Sequence, residues 1–152
     1  MKATSVRANN RRHAFEVGTA CGRLVFPYVK ADPPPTPEDA VTHAYVDDEL
    51  DREGFTYTLA SGVEGSVHVD QVLEYNRDPR YMRDQLLYRL TLEAERRLAA
   101  SPLSKREVIR RLGTSPTQFY RLLDPTNYRK SIDGVLELLR VLECDVDLVV
   151  RP

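Results

Sequence analysis

Residues 104–124 read SKREVIRRLGTSPTQFYRLLD, and this stretch decides the fold of the C-terminal half. Ser104 followed by Glu107 has the spacing of a capping box, in which the serine hydroxyl accepts a backbone N–H and the glutamate reaches back to the serine N–H. The apolar residues that follow predict a helix. We expect this helix to end at Gly113, because glycine tolerates the positive φ with which many helices terminate.

A second helix is predicted immediately afterwards. Ser115 is a candidate N-cap, Pro116 suits the first helical position, and Gln118 completes a second box. The apolar side chains of this helix would face inward; they are Phe119, Leu122 and Leu123. The polar side chains would be left on its outer side, namely Thr117, Gln118, Tyr120 and Arg121.

The charge of the chain is unevenly distributed although its net value is −1. Residues 1–76 hold 7 basic and 12 acidic residues, whereas residues 77–152 hold 15 basic and 11 acidic residues. Seven basic residues fall within 104–130 against two acidic ones; they are Lys105, Arg106, Arg110, Arg111, Arg121, Arg129 and Lys130. A basic segment of this kind indicates either a polyanion partner or an ordinary solvated surface.

The segment Lys105–Asp124 resembles the helix-turn-helix of the phage-repressor class, the Cro/CI-type family that is also called XRE. The turn glycine corresponds to Gly113, and the inward apolar residues of the pattern are Val108, Leu112, Phe119 and Leu122. The resemblance covers roughly residues 80–143: the stretch before Ser104 would supply the first helix, and Ser131 would cap the helix after the motif, which carries Ile132, Val135, Leu136, Leu139 and Leu142. Val146–Val150 resembles the extra strand of some members.

The resemblance implies double-stranded DNA as partner, with the helix at 115–123 in the major groove. The residues that would reach the bases are Ser115, Thr117, Gln118, Tyr120 and Arg121, and those that would meet phosphates are Lys105, Arg106, Arg129 and Lys130. Gln118 serves equally well as a helix cap, so base contact and capping both stay open. Asn127 lies in a loop where it would meet either a phosphate or the preceding helix.

The N-terminal half has the pattern of a small antiparallel β domain. Residues 1–12 lack apolar periodicity and predict a flexible arm, and the runs around 14–17 and 23–28 predict a hairpin. A strand is expected at His43–Asp48, and alternating residues at 55–59 and 66–69 predict a second hairpin, whose apolar face the first would cover. The prolines of Ala31–Pro37 indicate an extended loop that is either a spacer or a surface for a partner.

We therefore predict an α+β protein with a β domain at residues 1–76 and a helical domain at residues 77–152. The helical domain would hold four to five helices with the helix-turn-helix among them, followed by a short C-terminal strand. A long helix is expected to reach about Ala100, with an apolar side formed by Leu86, Leu87, Leu90, Ala94 and Leu98.

The sequence gives little support to catalysis. It lacks the common hydrolase, metalloprotease and nucleotide-binding motifs, and its three histidines are scattered, so we expect no enzyme activity and no cofactor. The acidic residues of Asp47–Glu53 lack the spacing of a calcium loop, and we expect no metal site. Cys21 and Cys144 are expected to be reduced thiols.

No apolar run approaches the ~20 residues that cross a bilayer, and no signal-peptide pattern is apparent. We therefore expect a cytoplasmic protein without a membrane partner.

The preferred hypothesis is a bacterial-type transcriptional regulator that binds DNA as a homodimer. Its β half would either dimerise or sense a ligand or protein. The alternative is a protein-interaction adaptor, or an antitoxin-like protein that binds a partner through a helix-turn-helix fold or through the β half.

Overall fold

A computed structural model describes all residues from 1 to 152, and it confirms the mixed α+β class. The six strands are β1 (Ala3–Asn9), β2 (Ala14–Thr19), β3 (Gly22–Pro27), β4 (Val41–Val46), β5 (Gly54–Leu59) and β6 (Glu64–His68). The five helices are α1 (Val69–Asn76), α2 (Pro79–Ala100), α3 (Lys105–Leu112), α4 (Pro116–Leu123) and α5 (Ile132–Val141). The chain forms two compact units, Met1–Met82 and Arg83–Pro152.

The first sheet has the order β1-β2-β3 and is antiparallel throughout. It contains the predicted hairpin, β2 with β3, but the expected flexible arm at residues 1–12 is wrong. Residues 3–9 instead form β1, which pairs with β2 and buries Ala3. Pairing with β2 orders these residues, because a strand is stabilised mainly by its cross-strand pairs rather than by a local sequence pattern.

The second sheet has the order β4-β5-β6 and contains the strands expected at 43–48, 55–59 and 66–69, with shifted bounds. The two sheets share one apolar core, as predicted for the two hairpins. Phe15 of β2 lies with its ring centroid 4.9 Å from those of both Phe55 and Tyr57 of β5. These rings are fully buried, so they account for much of the apolar area that holds the sheets together.

Helix α1 was not expected in the N-terminal half. The apolar residue Val69, predicted to end a strand, begins this helix, and its side chain is buried together with those of Val72 and Leu73. His68 caps the helix, because its Nδ1 accepts the N–H of Asp70 and its own N–H donates to Gln71. Val67 and Val69 continue the two-residue alternation of β6, and the residue before Val69 is His68 rather than one of the common N-cap residues, so the start of the helix has no clear local signal.

The C-terminal unit is built around a second apolar core. Its buried residues come from α2 to α5 and include Leu87, Ala94, Leu98, Val108, Phe119, Val135, Leu138 and Leu139. The expected apolar side of α2 is wrong at one position, because Leu86 is 51% exposed. Thr91, which the predicted apolar side did not include, is buried, and its hydroxyl donates to the Leu87 carbonyl within the helix.

The predicted C-terminal strand at Val146–Val150 is absent. These residues have no regular secondary structure, and Leu148, Val149 and Val150 are 76%, 72% and 83% exposed. An alternating or continuous apolar run favours a strand only where another strand is available to pair with it. None of the five helices has the length and apolar character needed to cross a lipid bilayer.

Candidate nucleic-acid interface

Local interactions determine the geometry of α3, the turn and α4. The Ser104 hydroxyl accepts the N–H of Glu107, and the Ser115 hydroxyl accepts the N–H of Gln118, both at 3.2 Å. Gly113 ends α3 in the left-handed region with φ of 66°, and Pro116 occupies the first turn of α4. The predicted caps and the predicted turn glycine are confirmed.

The reciprocal half of each capping box is absent. The carboxylate of Glu107 accepts hydrogen bonds from Arg110 at 2.6 Å and from Arg111 at 3.0 Å rather than from the Ser104 N–H. These hydrogen bonds lower the pKa of Glu107 to about 2, with Arg110 as the larger cause. These charge-assisted bonds are stronger than a bond to a neutral backbone N–H, so the Glu107 side chain points toward the next turn of α3 rather than back to Ser104. Two of the seven basic residues are therefore already paired.

The outer side of α4 carries the polar residues expected there. The side chains of Ser115, Thr117, Gln118, Tyr120 and Arg121 are all exposed, whereas Phe119 is fully buried and Leu123 is 9% exposed. The side-chain amide of Gln118 has no hydrogen-bond partner within the protein, so the capping alternative for this residue is wrong. A helix that is apolar on one side and polar on the other presents its polar side to solvent or to a ligand.

The loop after α4 is held to the end of that helix. Lys130 donates from Nζ to the carbonyl oxygens of Leu122 at 2.8 Å and Asp124 at 2.6 Å. Asn127 donates from Nδ2 to the Arg121 carbonyl at 3.1 Å, so it meets the preceding helix. These bonds satisfy carbonyls that the helix itself leaves unpaired at its last turn. Lys130, predicted as a phosphate contact, thus has a structural role that the sequence did not reveal.

Partial burial lowers the pKa of the Lys130 ammonium, while the Asp124 carboxylate opposes that shift. The Asp124 carboxylate is itself fixed by Thr126, whose hydroxyl and N–H donate to Oδ1 at 2.7 and 2.9 Å. These bonds, first that of the hydroxyl, lower the pKa of Asp124. The carboxylate stays charged, but it is directed at the loop backbone and its net effect on the surface is reduced by the neighbouring ammonium.

An open cleft of about 730 Å³ lies between the end of α4 and the start of α5. Its lining is mainly polar and holds three basic side chains and one carboxylate; the lining residues are Gln118, Arg121, Leu122, Asp124, Asn127, Arg129, Lys130 and Ser131. The Ser131 hydroxyl accepts the N–H of Gly134 and caps α5, so the positive end of the α5 dipole faces the same cleft. A cleft with three basic side chains and a helix N-terminus attracts anionic groups.

The other predicted phosphate contacts flank the start of α3 and the loop before α5. Lys105, Arg106 and Arg129 are exposed. The Lys105 ammonium lies 6.0 Å from the centroid of the Tyr120 ring, which links α3 to the outer side of α4. The structure therefore brings Lys105 next to Tyr120 and brings Arg121, Arg129 and Lys130 into one cleft.

The acidic turn at Asp47–Glu53 is a separate feature of the N-terminal unit. Asp47 accepts the Thr56 hydroxyl at 2.6 Å, Asp51 pairs with Lys2 at 2.8 Å, and Glu53 lies 3.8 Å from His68. The carboxylates therefore point to different partners rather than toward a common centre.

No model of a protein family, no curated protein and no solved structure matches this chain.

Proposed function

We propose that the protein binds double-stranded DNA in a sequence-specific manner and regulates transcription, with α4 in the major groove. The observation that carries the proposal is the outer side of α4, where five polar side chains are exposed at the centre of a basic segment. An α-helix with its side chains is about 10–12 Å wide, which matches the roughly 12 Å width of the major groove of B-DNA.

The chemistry of the exposed side chains suits base edges. Gln118 has both a donor and an acceptor free, the pair of groups that recognises adenine. Arg121 presents the guanidinium geometry that recognises guanine. Ser115 uses its hydroxyl oxygen as an acceptor within the cap, which leaves the hydroxyl hydrogen for a phosphate or a base.

Contacts with phosphates would come from the residues around α4. Lys105, Arg106 and Arg129 are exposed cations on either side of the helix, and their removal would weaken binding to every sequence alike. Lys130 contributes its charge from a fixed position, since two of its three donors already bind carbonyl oxygens.

A regulator of this kind would act as a homodimer on two half-sites. The two copies of α4 would then lie about 34 Å apart, one turn of B-DNA, and the operator would share the twofold symmetry of the protein. In this proposal the N-terminal unit either binds a second copy of the chain or senses a ligand or another protein.

The test is a fluorescence-anisotropy titration of the full chain against duplexes selected from a random pool, together with the promoter of its own gene. We expect a selected duplex to bind with strong salt dependence. Arg121→Ala is expected to relax base preference at one position, at a cost of about 1–3 kcal/mol.

Arg140→Ala is the matched control, because Arg140 is also exposed but lies in the last turn of α5. Affinity unchanged by Arg121→Ala, or no salt-sensitive binding of any duplex, would refute the proposal. In a double variant, Arg121→Ala with Lys105→Ala, loss of DNA binding while partner binding stays intact would support the regulator. Loss of partner binding while DNA binding stays intact would favour the adaptor alternative.

A further inference from the structure

The N-terminal half is not uniformly acidic. Residues 1–30 hold six basic residues and one acidic residue, whereas residues 31–76 hold one basic and eleven acidic residues. Four of the six cations, Arg7, Arg11, Arg12 and Arg23, belong to the strands of the first sheet or to the turn between β1 and β2, whereas Lys2 precedes β1 and pairs with Asp51, and Lys30 follows β3. The first sheet therefore has a positive charge that the sum over the half conceals.

The register of the sheet places two of these cations, Arg7 and Arg23, on its outer face. Arg7, Glu16 and Val25 are paired across the three strands, and Ser5, Gly18 and Arg23 form the next row along the same face. The alternate positions in β2, Phe15 and Val17, are fully buried on the opposite face. Because successive side chains point to opposite sides of a sheet, Arg7 and Arg23 lie on the side away from the core.

Glu16 is the one carboxylate on this face, and its side chain interacts with the neighbouring cations. It accepts a hydrogen bond from Asn9 at 3.0 Å and lies 3.8 Å from an Arg23 nitrogen. The pKa of Glu16 is lowered first by Asn9 and then by the charges of Arg7, Arg23 and Arg12. The charges of three arginines thus act on one carboxylate, so the face has a net positive charge.

Two hydroxyls without hydrogen-bond partners lie between the arginines. A Cβ placed on Gly18 would collide with the Ser5 hydroxyl and would lie 2.8 Å from Thr4 Oγ1, so both hydroxyls sit directly over this glycine. Neither hydroxyl forms a hydrogen bond within the protein. Because Gly18 has no side chain, there is room above it for the Thr4 and Ser5 hydroxyls, which are free to donate hydrogen bonds to a ligand.

We propose that this basic sheet face, made by Thr4, Ser5, Arg7, Arg12 and Arg23, binds the phosphate backbone of duplex DNA. The proposal rests on the proposed function in taking duplex DNA as the ligand, and it adds sequence-independent contacts from the N-terminal unit. Guanidinium groups bind phosphates through paired hydrogen bonds, and serine and threonine hydroxyls are common donors to phosphate oxygens.

The geometry favours a duplex over other polyanions. Arg7 and Arg23 lie on the two outer strands, which are about 10 Å apart across β2, and in different rows, so they would address separate phosphates. The paired rows of this face carry no aromatic side chain, whereas proteins that bind single strands stack bases on aromatic rings. A duplex, whose bases are stacked and inaccessible, offers a regular array of phosphates without requiring aromatic side chains from the protein.

The test is a titration of full-length protein against the selected duplex at several salt concentrations. The variant is Arg7→Ala with Arg23→Ala, and the charge-matched control is Arg89→Ala with Arg140→Ala, two exposed arginines outside the basic sheet face. We expect the sheet variant to lower the slope of log affinity against log salt by about 2, one phosphate for each arginine. The ratio of selected to unrelated duplex affinity should stay the same, because phosphate contacts carry no sequence information.

Glu16→Gln is a second variant that changes the face in the opposite direction. It removes the one negative charge while keeping an acceptor for Asn9, so we expect tighter binding and a steeper salt slope. Thermal unfolding and circular dichroism establish that each variant is folded.

The outcomes separate this proposal from the proposed function. An unchanged salt slope in the folded sheet variant, alongside altered base preference in Arg121→Ala, overturns the basic sheet face and leaves α4 supported. A fall in molecular mass of the sheet variant by light scattering, with unchanged DNA affinity, also overturns it and assigns the face to the acidic residues of a second copy. Failure of the wild-type protein to bind any duplex overturns both proposals.

Discussion

The Nζ of Lys130 lies 2.8 Å from the carbonyl oxygen of Leu122. The same ammonium also binds the Asp124 carbonyl, so one side chain joins the end of α4 to the loop that leads into α5. We expect Lys130→Met to lower the free energy of unfolding by about 1 kcal/mol, because it leaves these carbonyls without a charged donor while keeping the apolar stem. Chemical denaturation measures this change.

Arg129→Met is the control for Lys130→Met. Arg129 is adjacent and exposed, and its side chain forms no hydrogen bond within the protein, so its replacement is expected to change stability by less than about 0.5 kcal/mol. Equal effects of the two substitutions would contradict the role assigned to Lys130.

Glu107 predicts a pH dependence of stability. Its pKa in the folded protein is about 2 against an ordinary value of 4.5, because Arg110 and Arg111 donate hydrogen bonds to the ionised carboxylate. A lowered pKa means that the stabilisation is present above pH 4.5 and is lost as the pH falls toward 2. The difference in melting temperature between the wild type and Glu107→Gln should therefore be largest near neutral pH and shrink below pH 4.5. A difference that is constant from pH 7 to pH 2 would show that the charge is irrelevant.

Substitutions at Gly113 test the turn between α3 and α4. Its φ of 66° is a conformation in which a Cβ is unfavourable, although no neighbouring atom lies within 4 Å of a Cβ built there. We expect Gly113→Ala to cost about 1–2 kcal/mol from backbone strain alone. Gly113→Asn should cost less, because asparagine tolerates the left-handed region. Indistinguishable denaturation curves for all three proteins would rule out strain at this position.

A substitution at Tyr57 tests how much its hydrogen bond to the proline-rich loop contributes to stability. Its buried hydroxyl donates to the Pro33 carbonyl at 2.6 Å, and burial raises the pKa of this phenol to about 12, with the Asp32 charge as a smaller cause. Tyr57→Phe keeps the ring and removes the bond, so we expect a loss of about 0.5–1.5 kcal/mol of unfolding free energy. Tyr45→Phe, at a 40% exposed position, is the control. A silent Tyr57→Phe would indicate that the loop is held by other contacts.

Gln118 predicts a change in DNA specificity without a change in fold. Its exposed amide has no partner in the protein, so Gln118→Ala should leave the melting temperature unchanged. We expect the variant to lose discrimination at one base pair, by about 1–3 kcal/mol, in a selection from randomised duplexes. An identical base preference in variant and wild type would remove Gln118 from the interface.

The ends of α3, α4 and α5 could be predicted because their determinants are local. Ser104, Ser115 and Ser131 each bind a backbone N–H three residues ahead, and Gly113 supplies the left-handed residue of the turn. None of these interactions depends on a distant part of the chain. The polar outer side of α4 follows from the same residues, since burial of Phe119 and Leu123 turns the remaining side chains outward.

Competition among local partners limited the prediction of side-chain roles. Glu107 had the spacing of a reciprocal cap, but two arginines on the same helix offered stronger bonds. Lys130 had the charge of a phosphate contact, but the carbonyls at the end of α4 lie within its reach. The choice between such partners depends on distances that the order of residues does not contain.

The sequence by itself determined the caps, the turn and the polar side of α4, since these require only neighbours within one helical turn. Only the tertiary structure decided that residues 3–9 form a strand, that residues 146–150 do not, and that Arg7 and Arg23 share a face with Ser5 and Gly18. The physical reason is that strand formation and register depend on hydrogen bonds to another segment, and a segment's own pattern does not reveal whether that partner is present.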